Sequence, residues 1–253
     1  MSKRLFGLSI SQETMQEIAD RIIDAARHNE KMKVYAANAH YINLALTDSE
    51  YLNILHQGDI ITADGAAIVW SCRARGISVP ERSSTTDLVH PILKAAGKHG
   101  LRVFFLGGKP GTAERASQFF HNQYGVCIQT ADGYFTDDRQ MITKINKFQP
   151  HILFVGLGAP KQEKWVNNYH NSLESPAIVT CGGLFDYYAE NVSRAPKFIQ
   201  DAGLEWLYRL IQEPHRLWRR YLLGNPLFVY NLLKHGNLTL ESRQVGRVPV
   251  LRD

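Results

Sequence analysis

Two polar residues stand at the ends of predicted strands, where a side chain can transfer a proton or bind a substrate. Asp64 follows the apolar run 60–63 and precedes Gly65. Its carboxylate could project into a crevice as a general base, or it could cap the next helix or close an Asx-turn. Asn38 ends the apolar run 34–37, so its amide could bond a sugar hydroxyl or cap a helix.

Two glycine pairs could bring backbone N–H groups close to a ligand. Gly107 and Gly108 begin the segment 107–112, which joins a predicted strand to a helix, and a helix N-terminus suits a phosphate. The segment lacks P-loop spacing and is equally consistent with an ordinary strand-to-helix turn. Gly182 and Gly183 follow the predicted strand 177–180, where backbone can approach a ligand closely.

The segment after the predicted strand 152–155 carries polar side chains that a turn alone does not require. Gly156 and Gly158 open it, but Lys161 stands where a dinucleotide fingerprint needs its third glycine or alanine. This argues against a Rossmann cofactor. Pro160 is placed to start a helix, and the side chains of residues 161–163 (Lys-Gln-Glu) crowd its entrance.

The metal-ligating residue types show no pattern that predicts a metal or cofactor. No Asp-x-Asp pair ends a strand, and the histidines lack metal-ligand spacing. The three cysteines are odd in number and widely spaced, which fits neither a disulfide framework nor a zinc knuckle. We therefore expect a reduced, cytoplasmic enzyme or binding protein without a metal or other cofactor.

The elements that must position these residues alternate along the chain. Apolar runs at 34–37, 60–63, 103–106, 152–155 and 177–180 are each followed by a turn and a helical pattern. This predicts an α/β fold with a mainly parallel, Rossmann-like sheet that has helices on both faces and ligands at the carboxyl ends of its strands. A further strand over 5–10 and a helix capped by Ser11 are predicted at the N-terminus.

The C-terminal segment differs from the rest in pattern and in charge. Residues 1–193 hold nineteen basic and nineteen acidic side chains, whereas residues 194–253 hold ten and five, so the tail supplies the whole net charge of +5. After residue 193 only helices are predicted. We therefore divide the chain into an α/β core, 1–193, and a basic helical appendage, 194–253. The basic excess indicates an anionic partner (nucleic acid, phospholipid or phosphorylated substrate) or a solvated helical face.

The appendage also has the composition of a membrane-surface element. Arg216, Arg219 and Arg220 share one helical face by the i, i+3, i+4 rule, with Trp218 and Tyr221 beside them. Arginine with aromatic residues on short amphipathic helices is typical of a bilayer interface, and it is also compatible with ordinary packing. No apolar run approaches the roughly 18 residues of a membrane span, and the N-terminus has no signal-peptide core.

Five stretches, in order, resemble the WecG/TagA/CpsF family of bacterial glycosyltransferases (glycosyltransferase family 26). They are ITADGAAIVW, VPERSSTTDL, VFFLGGKPGTAERA, FVGLGAPKQEKWV and CGGLFDYYAENVSRAPKFIQDAGLEWLYRLIQEPHRLWRRYLLGNP. The resemblance implies inverting, metal-independent transfer of a sugar from a UDP-sugar to a polyprenyl-diphosphate-linked saccharide. It implies a role in cell-wall or exopolysaccharide biosynthesis at the cytoplasmic face of the membrane. N-acetylmannosamine is the favoured sugar, with glucose and N-acetylmannosaminuronic acid left open.

The resemblance also implies roles for particular residues. Asp64 is the expected catalytic base, and Asn38 and Gln162 are the expected supporting catalytic groups. The expected substrate-binding residues are Arg82, Asp87, Gly107, Gly108, Gly133, Tyr134, Gly158, Lys161, Glu163, Gly182, Gly183, Arg209, Arg216 and Arg219. The expected partners are the UDP-sugar, the lipid-linked acceptor and an anionic membrane surface, with no nucleic acid and a homo-oligomer left open.

Three positions depart from the family pattern. Thr85 and Thr86 precede Asp87 where relatives tend to have Gly-Thr, which raises the question of the backbone conformation there. Asp132 stands where a histidine is expected from the family pattern. Ala66 and Ala67 replace a pair that contains glycine in typical relatives. Two other classes of function compete with the transferase: a nucleotide-dependent oxidoreductase, suggested by the glycine turns, and a non-enzymatic basic binding module, suggested by the tail.

Overall fold

A six-stranded, all-parallel sheet forms the centre of the molecule in the computed structural model, which describes residues 4–235. The strands are β1 (Met32–Ala37), β2 (Ile60–Ala63), β3 (Arg102–Gly107), β4 (Cys127–Ala131), β5 (Ile152–Gly156) and β6 (Ala177–Thr180), in the order β2-β1-β6-β5-β3-β4. The predicted α/β, Rossmann-like class is confirmed. The pattern missed only β4, because this edge strand exposes Cys127 and Gln129 and so has no continuous apolar run.

Helices cover both faces of the sheet. Within the core they are α1 (Met15–His28), α2 (Ala39–Ala45), α3 (Ser49–His56), α4 (Ala66–Ala74), α5 (Thr85–Lys98), α6 (Thr112–Tyr124), α7 (Asp138–Phe148), α8 (Lys161–Tyr169) and α9 (Leu184–Tyr188). Alternate strand residues enter two separate apolar clusters. Tyr35 and Leu153 belong to the cluster on one face, whereas Val34 and Ile152 belong to the other.

The N-terminal segment does not form the predicted strand 5–10. Leu5 and Leu8 make an isolated antiparallel bridge across a tight turn, and both are fully buried. The first helix is capped by Thr14 rather than by Ser11: the Thr14 hydroxyl accepts from the Glu17 N–H, and the Glu17 carboxylate accepts from the Thr14 N–H. The complete capping box at Thr14 is the stronger start signal, since it satisfies two backbone donors.

The described part of the appendage, residues 194–235, is helical as predicted, and residues 236–253 of the predicted appendage lie outside the described residues. It comprises α10 (Lys197–Asp201), α11 (Glu205–Gln212), α12 (Pro214–Trp218), a π-helical turn (Arg219–Leu223) and α13 (Gly224–His235). Helix α13 packs on α2, where the Asn43 side chain donates to the Gly224 carbonyl at 2.7 Å. Phe228 is buried in a core cluster, with its ring 6.0 Å from that of Phe6. Within residues 4–235, none of the helices has the length and apolarity needed to cross a membrane.

Candidate active site

A cleft of about 570 Å³ opens at the carboxyl ends of β1, β2 and β6. Its size is within the range of small-molecule sites. The core contributes lining residues from the turns after these strands, including Asn38, Asp64 and Gly183. The C-terminal helices form the opposite wall, where Arg209 and Arg220 are lining residues. Core and appendage therefore build this cleft together.

The Asp64 carboxylate lines the cleft and does not cap a helix. The Asp64 N–H donates to the Ala37 carbonyl at 2.9 Å, which anchors the turn to β1. Helix α4 is capped by Gly65, whose φ of 124° requires glycine, and no side chain caps this helix. The capping interpretation of Asp64 is therefore wrong, and the carboxylate accepts only one hydrogen bond from another side chain in the described chain, from Asn38.

Asn38 caps a helix, as one of its two sequence interpretations predicts, and it also contacts Asp64. Its Oδ1 accepts from the Tyr41 N–H at 3.0 Å and so caps α2. Its Nδ2 donates to Asp64 Oδ2 at 3.4 Å. The helix cap fixes the Asn38 side chain, and the fixed amide then orients the Asp64 carboxylate.

The surroundings of Asp64 favour a proton acceptor that is stronger than an ordinary carboxylate. Burial raises its pKa, and Glu205 acts in the same direction. The positive charges of Arg82 and Arg220 and the Asn38 hydrogen bond oppose this, and the net direction is upward. A raised pKa brings a carboxylate closer to the value that suits a general base near neutral pH.

Three arginines line the cleft, and they differ in their partners. Arg82 donates to Glu205 at 2.7 Å and to Asp87 at 3.3 Å. Arg209 lies over the Tyr187 ring, 5.0 Å from its centroid, and donates to Glu213 at 3.4 Å. Arg220 has no carboxylate partner among residues 4–235, and its buried Nε lacks a hydrogen-bond acceptor.

Other predicted binding residues lie outside the cleft lining. Arg216 is exposed and donates to Glu213 at 2.8 Å, and Arg219 lies over the Trp218 ring at 5.4 Å. Asp87 accepts a hydrogen bond from the Ser84 hydroxyl at 2.6 Å and forms ion pairs with Arg82 and Arg194. Their substrate-binding roles stay predictions.

Gln162 and Glu163 are buried behind the cleft rather than exposed in it. Gln162 Oε1 accepts from the Gly158 N–H at 3.2 Å and the Gly182 N–H at 3.0 Å, and its Nε2 donates to Glu163 at 2.7 Å. Gln162 thereby ties the turn after β5 to the turn after β6, which carries the lining residues Gly182 and Gly183. Burial raises the pKa of Glu163 to about 7.

The remaining predicted glycines meet at the adjoining part of the sheet edge. Gly107 pairs with Gly156 in the β3–β5 register, and the Gly133 N–H donates to the Gly108 carbonyl at 2.9 Å. Tyr134 is exposed there, and the Lys161 ammonium lies over the Phe135 ring at 5.9 Å. These residues share the carboxyl edge with the cleft but do not line it.

The departures from the family pattern have local explanations. Ser84 is extended, and Thr85 begins α5 with ordinary helical geometry, so no glycine is needed before Asp87. Asp132 accepts from the Tyr134 N–H at 2.9 Å and closes the turn after β4. Ala66 lines the cleft beside Gly203 of the appendage.

His40, Glu205 and Arg220 are among the cleft residues that sequence reasoning missed. The spacing of the histidines assigned no role to His40, but it lines the cleft, where burial and the Arg220 charge lower its pKa to about 4. The available signal was its position two residues after Asn38 at a strand end. Arg220 was placed on a shared face with Arg216 and Arg219 without being assigned a role. Residues 4–235 contain no group of three or more His, Cys, Asp or Glu that could hold a metal ion.

Comparison with known proteins places the whole of this architecture in one family. The chain is 28% identical over 234 residues, 91% of each chain, to the N-acetylglucosaminyldiphosphoundecaprenol N-acetyl-beta-D-mannosaminyltransferase of Staphylococcus aureus strain MW2. The proteins of the same name from strains NCTC 8325 / PS 47 and COL are equally similar. The profile of the Glycosyl transferase WecG/TagA/CpsF family matches residues 3–242. The match covers nearly the whole chain, and this chain therefore belongs to the WecG/TagA/CpsF family of glycosyl transferases.

Proposed function

We propose that the protein is an inverting glycosyltransferase that moves a sugar, with N-acetylmannosamine favoured, from a UDP-sugar to a polyprenyl-diphosphate-linked saccharide. The observation that carries the proposal is that the Asp64 carboxylate, which has a raised pKa and caps no helix, faces the same cleft as Arg220, a cation without a carboxylate partner among residues 4–235. The names of the S. aureus relatives describe an N-acetylmannosamine transfer to a lipid-linked N-acetylglucosamine.

The chemistry follows from these two charges. Asp64 takes the proton of the acceptor hydroxyl while the hydroxyl oxygen forms a bond to the anomeric carbon of the donor sugar. The bond from that carbon to the diphosphate oxygen breaks on the opposite face, and its electron pair leaves with UDP, so the configuration inverts. Arg220 and Arg209 stabilise the charge that develops on the diphosphate, and Asn38 holds the base in orientation.

The appendage is the proposed site of contact with the membrane. Of the thirteen large apolar side chains exposed in residues 4–235, ten lie in residues 198–233. They are Phe198, Leu204, Leu207, Ile211, Trp218, Leu222, Leu223, Val229, Tyr230 and Leu233. Apolar side chains beside exposed arginines suit an anionic bilayer surface. We propose that residues 194–253 form a membrane-associating unit that completes the active site and places the enzyme on the cytoplasmic face of the membrane.

The decisive experiment is mass spectrometry of a short-chain polyprenyl-diphosphate-saccharide acceptor after incubation with the protein and a panel of UDP-sugars. The proposal expects a mass increase of one sugar with at least one UDP donor, and UDP-N-acetylmannosamine is the first choice. The three alternatives are separated by parallel binding assays with UDP, NAD and duplex DNA. Steeply salt-dependent binding of DNA with no response to UDP would contradict the proposal.

Transfer is expected to continue in excess EDTA. The physical reason is that guanidinium groups in the cleft can neutralise the leaving diphosphate, a role that a divalent cation has in many nucleotide-dependent enzymes. The measurement is the initial rate with EDTA, with EDTA plus Mn²⁺, and without either. Loss of transfer on chelation, with recovery on Mn²⁺ addition, would show that the arginines are not sufficient.

Removing exposed apolar side chains from the appendage is expected to weaken membrane binding without affecting transfer to a soluble acceptor. In the variant Ile211→Asn/Leu233→Asn we expect roughly tenfold weaker partition to phosphatidylglycerol-containing vesicles, since both side chains lose their apolar burial in the bilayer. The partition is measured by sedimentation with the vesicles at high salt. Phe119→Asn, an exposed apolar position in α6, is the matched control. Unchanged partition of the double variant would place the membrane contact elsewhere.

A further inference from the structure

Four charged side chains form a closed ring between the core and the appendage. Arg82 and Asp87 come from the core, Arg194 follows the core, and Glu205 begins α11. Arg82 contacts Glu205 at 2.7 Å and Asp87 at 3.3 Å, and Arg194 contacts Asp87 at 2.7 Å and Glu205 at 3.6 Å. Positive and negative members therefore alternate around the ring, and its net charge is zero.

This ring is not an ordinary surface ion pair. The side chains of Arg82 and Glu205 are only 20% and 16% exposed, so solvent and salt screen their contact weakly. Both residues also line the cleft. The ring consequently lies in the wall of the proposed active site, close enough to Asp64 for its charges to act there.

The position of Glu205 is set by a close backbone contact. Gly203 has a φ of 73°, and a Cβ at this position would lie 2.9 Å from both the Ala66 Cβ and the Trp70 ring. Only glycine fits, and the close approach to α4 fixes where α11 begins. Glu205, the first residue of α11, is thereby held opposite Arg82. Docking of the C-terminal helices thus determines whether Arg82 has an anionic partner in the cleft.

We propose that Glu205 is a positioning residue for sugar transfer, which holds the Arg82 guanidinium at the cleft wall and offsets its charge beside Asp64. This inference rests on the proposed function, because it takes Asp64 as the base. Without Glu205 the Arg82 charge would stabilise the ionised form of Asp64 and make it a weaker proton acceptor. The ring therefore couples docking of the appendage to the strength of the base, independently of any lipid contact.

Groups outside the ring also face Asp64. Arg220 faces it from the π-helical turn, Asn38 donates to it from the end of β1, and the phenols of Tyr41 and Tyr187 face it from α2 and α9. Glu163, the other carboxyl with a raised pKa, lies behind β6 beside Gln162 rather than in the ring. A substitution in the ring therefore changes the ring's contribution to the electric field at Asp64, to which Arg220 and Asn38 contribute separately.

The test is the pH dependence of kcat/KM, whose acidic limb reports the base of the free enzyme. In Glu205→Gln we expect the midpoint of this limb to move down by about 1 pH unit, because an uncompensated guanidinium favours the charged carboxylate. In Arg194→Gln we expect the opposite shift, since Glu205 and Asp87 then carry excess negative charge. Glu205→Asp keeps the charge and should restore most of the wild-type midpoint.

Asp201→Asn is the matched control. Asp201 is an exposed acid of the same appendage, paired with Lys197 outside the cleft, and its substitution should leave the profile unchanged. Opposite shifts in the two ring variants support the proposal. A limb that stays fixed in both, or moves in the same direction in both, overturns it even where activity falls. Should Glu205→Gln fail to fold, Arg194→Gln decides alone: an upward shift supports the proposal and an unchanged limb overturns it.

The failure of the proposed function gives a different result. If Asp64→Asn retains full turnover, Asp64 is not the base and no ring variant is informative about it. If Asp64→Asn is inactive, but the midpoint of the acidic limb is the same in the wild type, Glu205→Gln and Arg194→Gln, the assignment of Asp64 as the base stands and only the positioning role of Glu205 is rejected.

Discussion

Asp64→Asn is expected to lower kcat roughly 10²–10⁴-fold, the usual cost of removing a general base. An amide has the shape of the carboxylate and can keep the Asn38 contact, but it cannot accept the proton of the acceptor hydroxyl. UDP binding and thermal stability should stay close to those of the wild type, because the Asp64 backbone, not its side chain, anchors the turn to β1. Steady-state kinetics with the soluble acceptor measure the loss.

The control for this variant is Asp20→Asn. Asp20 is an exposed residue of α1 whose carboxylate accepts, within the described part of the chain, from Gln16 alone, a bond that an amide oxygen can also accept. Its kcat should equal that of the wild type. A kcat for Asp64→Asn above about a third of the wild-type value would eliminate Asp64 as the base, since the loss would then be far below the roughly 10²-fold that removal of a general base typically costs.

Arg220→Ala and Arg209→Ala are each expected to lower kcat about 10²-fold on a soluble acceptor, as removal of one donor to a developing anion does. Both guanidinium groups line the cleft, and Arg209 reaches the turn after β6, with its Nη2 3.9 Å from where a Cβ of Gly183 would lie. Arg220 lies over the Tyr221 ring, 5.4 Å from its centroid, and has no carboxylate partner among residues 4–235, so no anionic side chain there competes with a diphosphate for its charge.

Arg216→Ala and Arg219→Ala are the matched variants. They remove the same charge from the same appendage, but their side chains are exposed and do not line the cleft. Because neither side chain lines the cleft, we expect both to act at the membrane surface: turnover on a soluble acceptor should be retained and binding to anionic vesicles should fall, at about 1 kcal/mol for each basic residue near the surface. A loss of turnover would instead support the substrate-binding role that the sequence predicts for Arg216 and Arg219. The reverse outcome, with turnover lost at Arg216 or Arg219 and kept at Arg220, would show that the tail closes over the donor in a different arrangement.

The experiments use the full chain because the appendage is part of the packed structure. Leu217, Tyr221 and Phe228 are buried, and Phe228 belongs to a core cluster that contains Phe6. A chain that ends before residue 195 would expose the surfaces that these residues cover, at a cost of about 25 cal/mol per Å² of apolar area. Loss of activity after such a deletion would therefore combine lost charge, lost membrane contact and lost stability.

Local sequence patterns determined the fold class and the place of the chemistry. Continuous apolar runs identify strands that are buried on both faces, and the carboxyl ends of parallel strands converge on one edge. Asp64 and Asn38 therefore had to lie near each other, and they do. The same logic failed at β4, because an edge strand buries fewer of its side chains and its pattern alternates.

Tertiary structure decided which cations reach the cleft. A regular helix would place Arg216, Arg219 and Arg220 on one face, but residues 219–223 form a π-helical turn. Consecutive residues of a helix point roughly 100° apart, so Arg219 and Arg220 diverge, and the docking of the appendage turns Arg220 into the cleft and leaves Arg219 exposed over the Trp218 ring.

The ion pair between Arg82 and Glu205 also could not be predicted from the sequence. Arg82 and Glu205 are 123 positions apart, and no local preference links them. Their contact exists because Gly203 packs against α4 and fixes the start of α11, a relation between distant surfaces. Sequence patterns report the environment of neighbouring residues along the chain. The charge that acts on Asp64 depends on distances across the cleft, and only the packing of the appendage on the core sets those distances.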